Sequence, residues 1–315
     1  MRAVTIREGR LVVEEHPDPV PGPGEILVRV GSAGVNGADL LQLRGGYPAP
    51  PGWPQDIPGL EFAGTVEALG EGATRFAQGA RVMAVVGGGG QAELCVVHER
   101  EAMPVPDAVD DIAAGGLPEA CTTAHDALIT QAGLQAGERV LISGAAGGVG
   151  SAAVQIAAAT GAHVTASVHR HELHEAVAAL GAGAVLDPDA TAEAGPYDVL
   201  LELIGAPNLE ANLRAMRRGG RIVVIGVGAG FKAQLNLLAV MGNMLTLRGS
   251  TLRARPLEEK AAAARAVERD VLTVFERGQA RVPITGTFPL AEAAAAYEAF
   301  AAGGKLGKLL ILPGA

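Results

Sequence analysis

The stretch LISGAAGGVG at residues 141–150 constrains this chain more than any other. Apolar Val140, Leu141 and Ile142 run into four glycines and two alanines, and the helical pattern SAAVQIAAATG comes at once after them. Side chains are dispensed with at such a handover for one of two reasons. Either the backbone must approach a phosphate closely, or the turn is tight and binds nothing. The residues downstream favour the first: HVTASV precedes the helical HELHEAVAALGA, DVLLELIG precedes NLEANLRAMRRGG, and RIVVIGV comes next. Short apolar strands separated by helix-length patterns predict a parallel sheet covered on both faces, the doubly wound α/β arrangement. In that setting Ala145-Ala146-Gly147-Gly148-Val149-Gly150 follows a strand and opens a helix, the context a dinucleotide fingerprint requires. Ala145 takes the place of the first fingerprint glycine, Gly147 lets the backbone reach a pyrophosphate, and Gly150 lets helix and strand pack closely. The free N–H groups and positive dipole end of the helix would face the phosphate.

Around this unit the sequence has another character. Residues 1–105 are rich in glycine and proline and carry the alternating runs EILVRV, FAGTVEAL and ARVMAVV, which predict a β-rich unit with few helices. RGGYPAPPGWPQDIPG holds too many prolines for a helix and reads as a long loop. The strand–helix pattern begins near Leu117. After LTLRGSTL comes a long helical pattern, RPLEEKAAAARAVERDVLTVFERG, and then PLAEAAAAYEAFAAGGKLGKLLIL, read as one helix and one strand. At 315 residues, against a prior of about 150 per domain, two domains are expected. With 49% apolar and 19% charged residues a large core is available and general disorder is excluded. Lys and Arg (25) against Asp and Glu (34) leave a net charge of −9, which argues against a nucleic-acid partner. Cys95 and Cys121 are too few for a disulfide scaffold or a multi-cysteine zinc site. MRAVTIREGR has no signal-peptide core and no apolar run is long enough to span a bilayer, so a soluble cytoplasmic protein is expected, with no membrane partner.

AGVNGADLLQLRGGYPAPPG, IPGLEFAGTVEALG, PEACTTAHDAL, VLISGAAGGVG and GKLGKLLIL occur in an order and spacing that resembles the medium-chain dehydrogenase/reductase family. More narrowly the chain resembles the zinc-free quinone oxidoreductase branch, which includes zeta-crystallin. Through GGYPAPPG and GGGGQAEL it looks nearest to the tumour-suppressor-inducible quinone oxidoreductases. The resemblance covers essentially the whole chain. It implies a partly open β-barrel (GroES-like) catalytic domain over 1–117 and 254–315, a Rossmann domain over 118–253, and a cofactor in the cleft between them. By the same resemblance Tyr47 lines the cofactor and Asn36 lies beside the reacting ring, so these two are the candidate catalytic residues; an ordinary loop amide and loop phenol are the alternatives. Thr122 and Thr123 fall on the expected first helix of the cofactor domain, where relatives place a threonine near the nicotinamide ribose. Hydroxyls bonded to their own helix backbone are the alternative there. Gly205, Gly226 and Gly228 end strands at the carboxyl edge of the sheet, where ligands bind in open α/β folds, although such glycines are also ordinary turn formers. Lys308 matches the family's terminal Gly-Lys and is expected at the cofactor, with a solvated lysine as the alternative.

No metal is expected. Zinc-dependent relatives supply a cysteine in the first loop, a Gly-His-Glu motif and a second cysteine near the start of the cofactor domain; here those places read Asn36, Gly59-Leu60-Glu61 and approximately Glu119. Leucine cannot coordinate zinc and an amide is a poor ligand beside thiolate or imidazole. His163, His169, His171 and His174 lack a supporting cysteine or carboxylate set and read as a polar loop at the adenine end. Without a metal nothing obvious stabilises an alkoxide, whereas a quinone or conjugated enone delocalises the charge that a hydride brings. A small-molecule quinone is therefore the expected substrate, with α,β-unsaturated aldehydes and ketones as the alternative. A non-catalytic structural or RNA-binding role is a third reading, disfavoured by the acidic charge and the lack of a basic stripe with interleaved aromatics.

NADPH is the expected cofactor. NAD-preferring folds close the second strand with Asp or Glu about 20 residues beyond the glycines. Here the strand ends ASVHRH, with Ser167 and Val168 at that place and Arg170 next, flanked by His169 and His171. A guanidinium suits a 2′-phosphate, and the resemblance agrees, since zinc-free relatives use Ser and Lys in this loop. Those relatives often add a tyrosine after the next strand, where this chain has Asp187-Pro188, so the expected preference is modest. The apolar NMLTLRGSTL resembles the edge strand through which family members pair their sheets, and a homodimer is expected.

Overall fold

The computed structural model describes residues 1–314. The chain forms two compact units: a discontinuous one, Met1–Thr122 with the described residues from Leu252 onward, and a central one, Thr123–Thr251. The crossings lie at Thr122/Thr123 and Thr251/Leu252, against 117/118 and 253/254 expected from the sequence.

The discontinuous unit starts with an antiparallel hairpin, β1 (Arg2–Arg7) and β2 (Arg10–Glu15). β3 (Glu25–Gly34) follows, then the short helix α1 (Gly37–Leu43), β4 (Glu61–Leu69), β5 (Arg81–Val85), β6 (Leu94–His98) and β7 (Ala102–Pro104). Two helices, α2 (Asp111–Ala114) and α3 (Pro118–His125), lead out of it. β3 alternates, with Val28 and Val30 inward and Arg29 outward, because one face of its sheet packs on the core. It pairs antiparallel with both β4 and β6, and β4 carries β5 and β7 beyond it. Ile26, Val28, Phe62, Val82 and Val97 fill the space these strands enclose. No helix or strand occupies residues 44–60, the proline-rich loop.

In the central unit β8 (Arg139–Ser143), α4 (Gly148–Ala159), β9 (His163–Ser167), α5 (His174–Ala178), β10 (Ala184–Leu186), β11 (Tyr197–Glu202), α6 (Ala206–Arg214), β12 (Met216–Val224), α7 (Leu237–Gly242) and β13 (Thr246–Gly249) succeed one another. The sheet order β10-β9-β8-β11-β12-β13 is parallel throughout. Counted within the unit this is 3-2-1-4-5-6, the doubly wound order whose reversal lies beside the first strand. Val140, Leu141, Ile142 and Ser143 of β8 are all fully buried, a continuous burial that only a strand covered on both faces shows. Tyr197, Leu200, Leu209 and Ile222 pack on Leu141 in the core of the sheet.

The chain then returns to the discontinuous unit with α8 (Leu257–Val267), which runs through a wider turn, Glu268–Leu272, into α9 (Thr273–Glu276). β14 (Ile284–Pro289), α10 (Ala293–Ala302) and β15 (Lys308–Leu312) close the chain. β15 inserts between β14 and β3. Two segments differ from the sequence reading. β14 was not anticipated, since ITGTFP is largely exposed and lacks an apolar run; among the described residues its only strand partner is β15. HELHEAVAALGA forms only a short turn and a five-residue helix before Gly181 bends the chain at φ 109.

Candidate functional site

In the central unit the turn between β8 and α4 reverses at Gly144, whose φ of 77 favours glycine and where a Cβ would lie 2.8 Å from Ile204. The strained position is therefore Gly144, one residue before the first fingerprint place assigned to Ala145. Ala145 is buried, with its N–H on the Ser167 carbonyl at 3.1 Å. Ala146 comes next in the turn, and Gly148 and Val149 open α4. Gly150 has no room to vary: a Cβ there would stand 2.3 Å from the Gly144 carbonyl oxygen and 2.7 Å from Ala145 Cα. Gly147 is the opposite case. It is the N-cap of α4 with ordinary φ of −70, and a Cβ would meet nothing nearer than 3.5 Å. No side chain caps α4 and no acid stands in its first turn, so this end of a twelve-residue helix offers N–H groups and a positive dipole to an anion.

At the carboxyl edge of the same sheet, Ser167 ends β9 and is buried. His169 is exposed, and Arg170 is half-exposed with an ion pair to Glu172 at 3.2 Å. His171 and His174 stack with ring centroids 4.3 Å apart, and Asp187 approaches both, at 3.7 and 3.8 Å. A carboxylate thus joins the histidines, yet among the described residues no group of three side chains is placed to hold a metal ion. Gly205 caps α6 at φ 112, and a Cβ would stand 2.4 Å from the Gly230 carbonyl oxygen. At Gly226 it would stand 2.2 Å from the Leu203 carbonyl oxygen. Internal packing demands glycine at both, whereas Gly228 has open space.

Thr122 and Thr123 both lie on α3 and are buried. The Thr122 hydroxyl has no hydrogen-bond partner in the described structure, so it is not a hydroxyl bonded to its own helix.

The discontinuous unit carries a polar cluster built on the end of β3. Asn36 caps α1, and its backbone N–H donates to Asp39 at 2.8 Å. Asp39 also accepts from the Gly59 N–H at 3.1 Å and is wholly buried. Burial pushes its carboxyl up to about 7, although the two backbone N–H groups, Lys308 and Arg253 all act the other way. The Asn36 side chain donates from Nδ2 to Glu61 Oε1 at 2.9 Å and accepts on Oδ1 from Lys308 Nζ at 2.7 Å. Lys308 Nζ donates in addition to Glu61 Oε1 at 2.5 Å and to the Val35 carbonyl at 3.4 Å. Glu61 Oε2 accepts from the Glu119 N–H at 2.8 Å. The solvated alternative for Lys308 is excluded: its side chain is 3% exposed and that of Glu61 0%. Gly34 makes the room, since a Cβ there would fall 2.1 Å from Glu61 Oε1.

Tyr47 sits in the loop after α1, and burial raises its phenol above the ordinary value. Its ring lies 5.1 Å below the Arg253 guanidinium, and its carbonyl accepts from Arg253 Nη1 at 2.8 Å. Arg253 also donates to the Gly87 carbonyl at 2.8 Å and to Gln42 Oε1 at 2.5 Å. Sequence reasoning missed Arg253 and the partnership of Glu61 with Lys308. Their partners are 166 to 247 residues away along the chain, and no local pattern marks them. Gly144 was also missed, and there a signal existed: it is the first of the four glycines.

Two protein families match. The alcohol dehydrogenase GroES-like domain matches residues 22–107, and the zinc-binding dehydrogenase family matches residues 148–268. Among curated relatives, the quinone oxidoreductase of Rattus norvegicus is 30% identical over 99% of this chain and 98% of its own length. That of Homo sapiens is 32% identical with the same coverage. Among solved structures, a thermostable alcohol dehydrogenase from Pyrobaculum aerophilum is similar with a TM-score of 0.86, 30% identity and 99% of both chains covered. An NAD-dependent alcohol dehydrogenase aligns over 100% of both chains at 26% identity and TM-score 0.87. A mycobacterial protein complexed with NADPH aligns over 99% of this chain and 100% of its own, at 25% identity and TM-score 0.87.

Proposed function

The chain belongs to the medium-chain dehydrogenase/reductase family, in its quinone oxidoreductase branch, and we propose that it is an NADPH-dependent, zinc-independent reductase of small quinones. Oxidoreductase activity follows from the family. The finer reading rests on one observation, the Lys308–Glu61–Asn36 cluster. Zinc in related enzymes needs thiolate or imidazole donors where this chain has Asn36, Leu60 and Glu119, and an ammonium already sits on the Glu61 carboxylate. That donor set does not fit zinc. A substrate that spreads incoming charge over its own conjugated carbonyl suits such a site, because a hydrogen bond suffices to steady the oxygen.

The dinucleotide, when bound, supplies the hydride. The chain's own residues fit that group. Gly147 leaves its backbone open, and the uncapped end of α4, opened by Gly148, Val149 and Gly150 after Ala145 and Ala146, suits a pyrophosphate. Thr122 holds a buried hydroxyl with unused donor and acceptor capacity, suited to a sugar hydroxyl, with Thr123 beside it. Gly228 leaves a similar open place in the loop after β12. Ser167, His169 and Arg170 leave the strand end without the carboxylate that grips a ribose, which favours a 2′-phosphate, while Glu172 and Asp187 nearby keep the preference modest. Arg170 makes an exposed surface pair with Glu172, weak enough for a phosphate dianion to displace. Asn36 and Tyr47 are assigned to the substrate side.

The test is consumption of NADPH with a panel of quinones and enones after exhaustive chelation. Undiminished turnover of quinones is expected; a stoichiometric zinc needed for activity would sink the reading. For the cofactor, kcat/KM for NADPH should exceed that for NADH, and Arg170→Ala should erase most of the difference. Equal use of both by the native enzyme defeats the preference.

We also propose a homodimer built through the central unit. β13 is an edge strand with all four residues exposed, and Phe231, Leu237, Leu238, Met241 and Met244 on the same unit are exposed apolar side chains. Such a surface calls for cover. Light scattering at micromolar concentration should give about twice 31.8 kDa, and a mass near that of one chain would refute the dimer. Among the described residues no helix is long and apolar enough to cross a membrane.

A further inference from the structure

We propose that Lys308 and Glu61 act on the reaction through Asn36, holding its amide so that the second Nδ2 hydrogen is offered to the substrate's carbonyl oxygen. The inference rests on the preceding reading, in which Asn36 faces the substrate.

The orientation of an asparagine amide is decided by what its neighbours can do. An ammonium only donates and an ionised carboxylate only accepts. Asn36 lies between one of each, with Lys308 Nζ 2.7 Å from Oδ1 and Glu61 Oε1 2.9 Å from Nδ2. Turning the amide over would set its NH2 against the ammonium and its oxygen against the carboxylate. Both charge-assisted bonds would become repulsions, so one orientation is selected.

Counting donors shows why Lys308 has no direct part. An ammonium has three hydrogens, and Lys308 has three acceptors, Glu61 Oε1, Asn36 Oδ1 and the Val35 carbonyl. Nothing remains for a cofactor phosphate or a substrate. Glu61 is equally committed, with Lys308 and Asn36 on Oε1 and the Glu119 N–H on Oε2. Both side chains are buried, whereas Asn36 is partly exposed. Of the three, only Asn36 reaches outward with a hydrogen to spare.

Lys308 also offsets the electron density that the Glu61 carboxylate returns to the amide nitrogen through its other hydrogen. A cation on Oδ1 draws electron density from the amide nitrogen, and chained hydrogen bonds strengthen one another in this way. As hydride reaches the conjugated substrate, negative charge gathers on its oxygen. A donor already fixed in place meets that charge without reorganising. The bond stabilises the oxygen and transfers no proton; the anion formed takes its proton from water afterwards. Lys308 and Glu61 are thus positioning residues, and Asn36 is the group that touches the substrate.

The experiment compares the native enzyme with the double variant Glu61→Gln/Lys308→Met, which removes both charges together. The readouts are NADPH affinity by fluorescence titration, and kcat and KM with two acceptors, 1,4-benzoquinone and a sluggish aliphatic enone. We expect unchanged NADPH affinity and a kcat loss of roughly 10–100-fold on the enone, below the ~100–1,000-fold of deleting an oxyanion donor outright. The loss on benzoquinone should be several-fold smaller, because that acceptor carries the charge with less help. Weakened NADPH binding would place Lys308 on the cofactor and overturn the proposal, and so would equal losses on both acceptors, the mark of a merely structural role. If the double variant does not fold, Asn36→Asp decides, since it keeps the shape and has no donor; retained kcat overturns the proposal and a loss steeper on the enone supports it. A native enzyme inactive on every quinone and enone overturns the functional reading and this one with it. An active native enzyme with insensitive variants overturns this one alone.

Discussion

The two units bury charge in different ways. The discontinuous unit takes Lys260, Lys308 and Arg253 out of water together with Asp39, Glu61 and Glu101. Among the described residues the central unit buries no lysine or arginine. Its buried carboxylates are met by neutral donors: Glu202 by the backbone N–H groups of Ile204 and Gly205, at 2.7 and 2.9 Å, and Asp126 by the Ser250 hydroxyl at 2.8 Å. One unit buries charges of both signs, and the other meets its buried carboxylates with neutral donors and leaves side chains out of its glycine turn. The contrast matches the proposed division of labour. A dinucleotide brings its own charge and needs room and N–H donors, whereas a substrate that gains charge only during reaction needs donors already in place.

Substitutions that respect or violate each kind of specification should separate the units. The largest effect is expected at Gly150, where a side chain meets backbone on two sides. Gly150→Val should cost on the order of 5 kcal/mol, beyond ordinary overpacking, and calorimetry should find the central unit unfolded or its melting far lower. Gly147→Val, three residues away, should melt close to the native protein and lose NADPH in titration, since only the ligand would meet the new side chain. Native-like NADPH binding in folded Gly147→Val would refute the turn's assignment.

In the other unit, Lys308→Met strands the Glu61 carboxylate in the interior. A loss of about 3–5 kcal/mol is expected from denaturant titration, because a buried charge left alone is costlier than a pair removed whole. The double variant with Glu61→Gln should recover most of it. No recovery would mean that the pair is not the unit of stability.

Arg253→Ala should cost less, about 2–3 kcal/mol, by leaving the Gly87 and Tyr47 carbonyls and Gln42 without their donor. Arg253→Lys should not restore the protein, since a point charge cannot fork to three acceptors or lie flat on the Tyr47 ring. Full rescue by lysine would show that only the charge matters.

The smallest effect concerns pH. Asp39 holds its proton to about pH 7 in the folded chain and to about 3.8 otherwise. Between those values the folded state binds the extra proton, so the contribution of Asp39 to stability is fullest below about pH 4 and is lost as pH rises to 7. Asp39→Asn lacks this slope. The native protein's unfolding free energy relative to that variant should fall by roughly 1–2 kcal/mol between pH 6 and pH 8, and a constant difference would show that Asp39 does not titrate there.

The same contrast explains what could be read from the sequence. The parallel sheet and its glycine turn were legible because their signals are local: an apolar strand, small residues and a helical pattern within some twenty positions. Even there the strained residue proved to be Gly144 rather than Ala145, because periodicity finds a turn without fixing which residue bends it. The site on the discontinuous unit was legible only as a set of residue types. Asn36 and Tyr47 could be named through resemblance, but Lys308 read equally well as solvated, since its carboxylate lies far back in the chain. β14 escaped for a related reason. Its exposed ITGTFP pattern carries no apolar signature, and pairing with β15 defines it.

The insertion of β15 between β14 and β3 sets a timetable for synthesis. Glu61 leaves the ribosome 247 residues before Lys308, the cation that will neutralise it. At ~5–20 residues per second that is a wait of roughly 12–50 s. Throughout it the first strands carry a carboxylate that cannot be buried, and the space Gly34 reserves for it has no counter-charge. The central unit, contiguous from Thr123 to Thr251, emerges complete inside that interval. The middle of the chain is thus free to fold before its beginning, and β15, made after the whole of that middle, is the strand that joins β3.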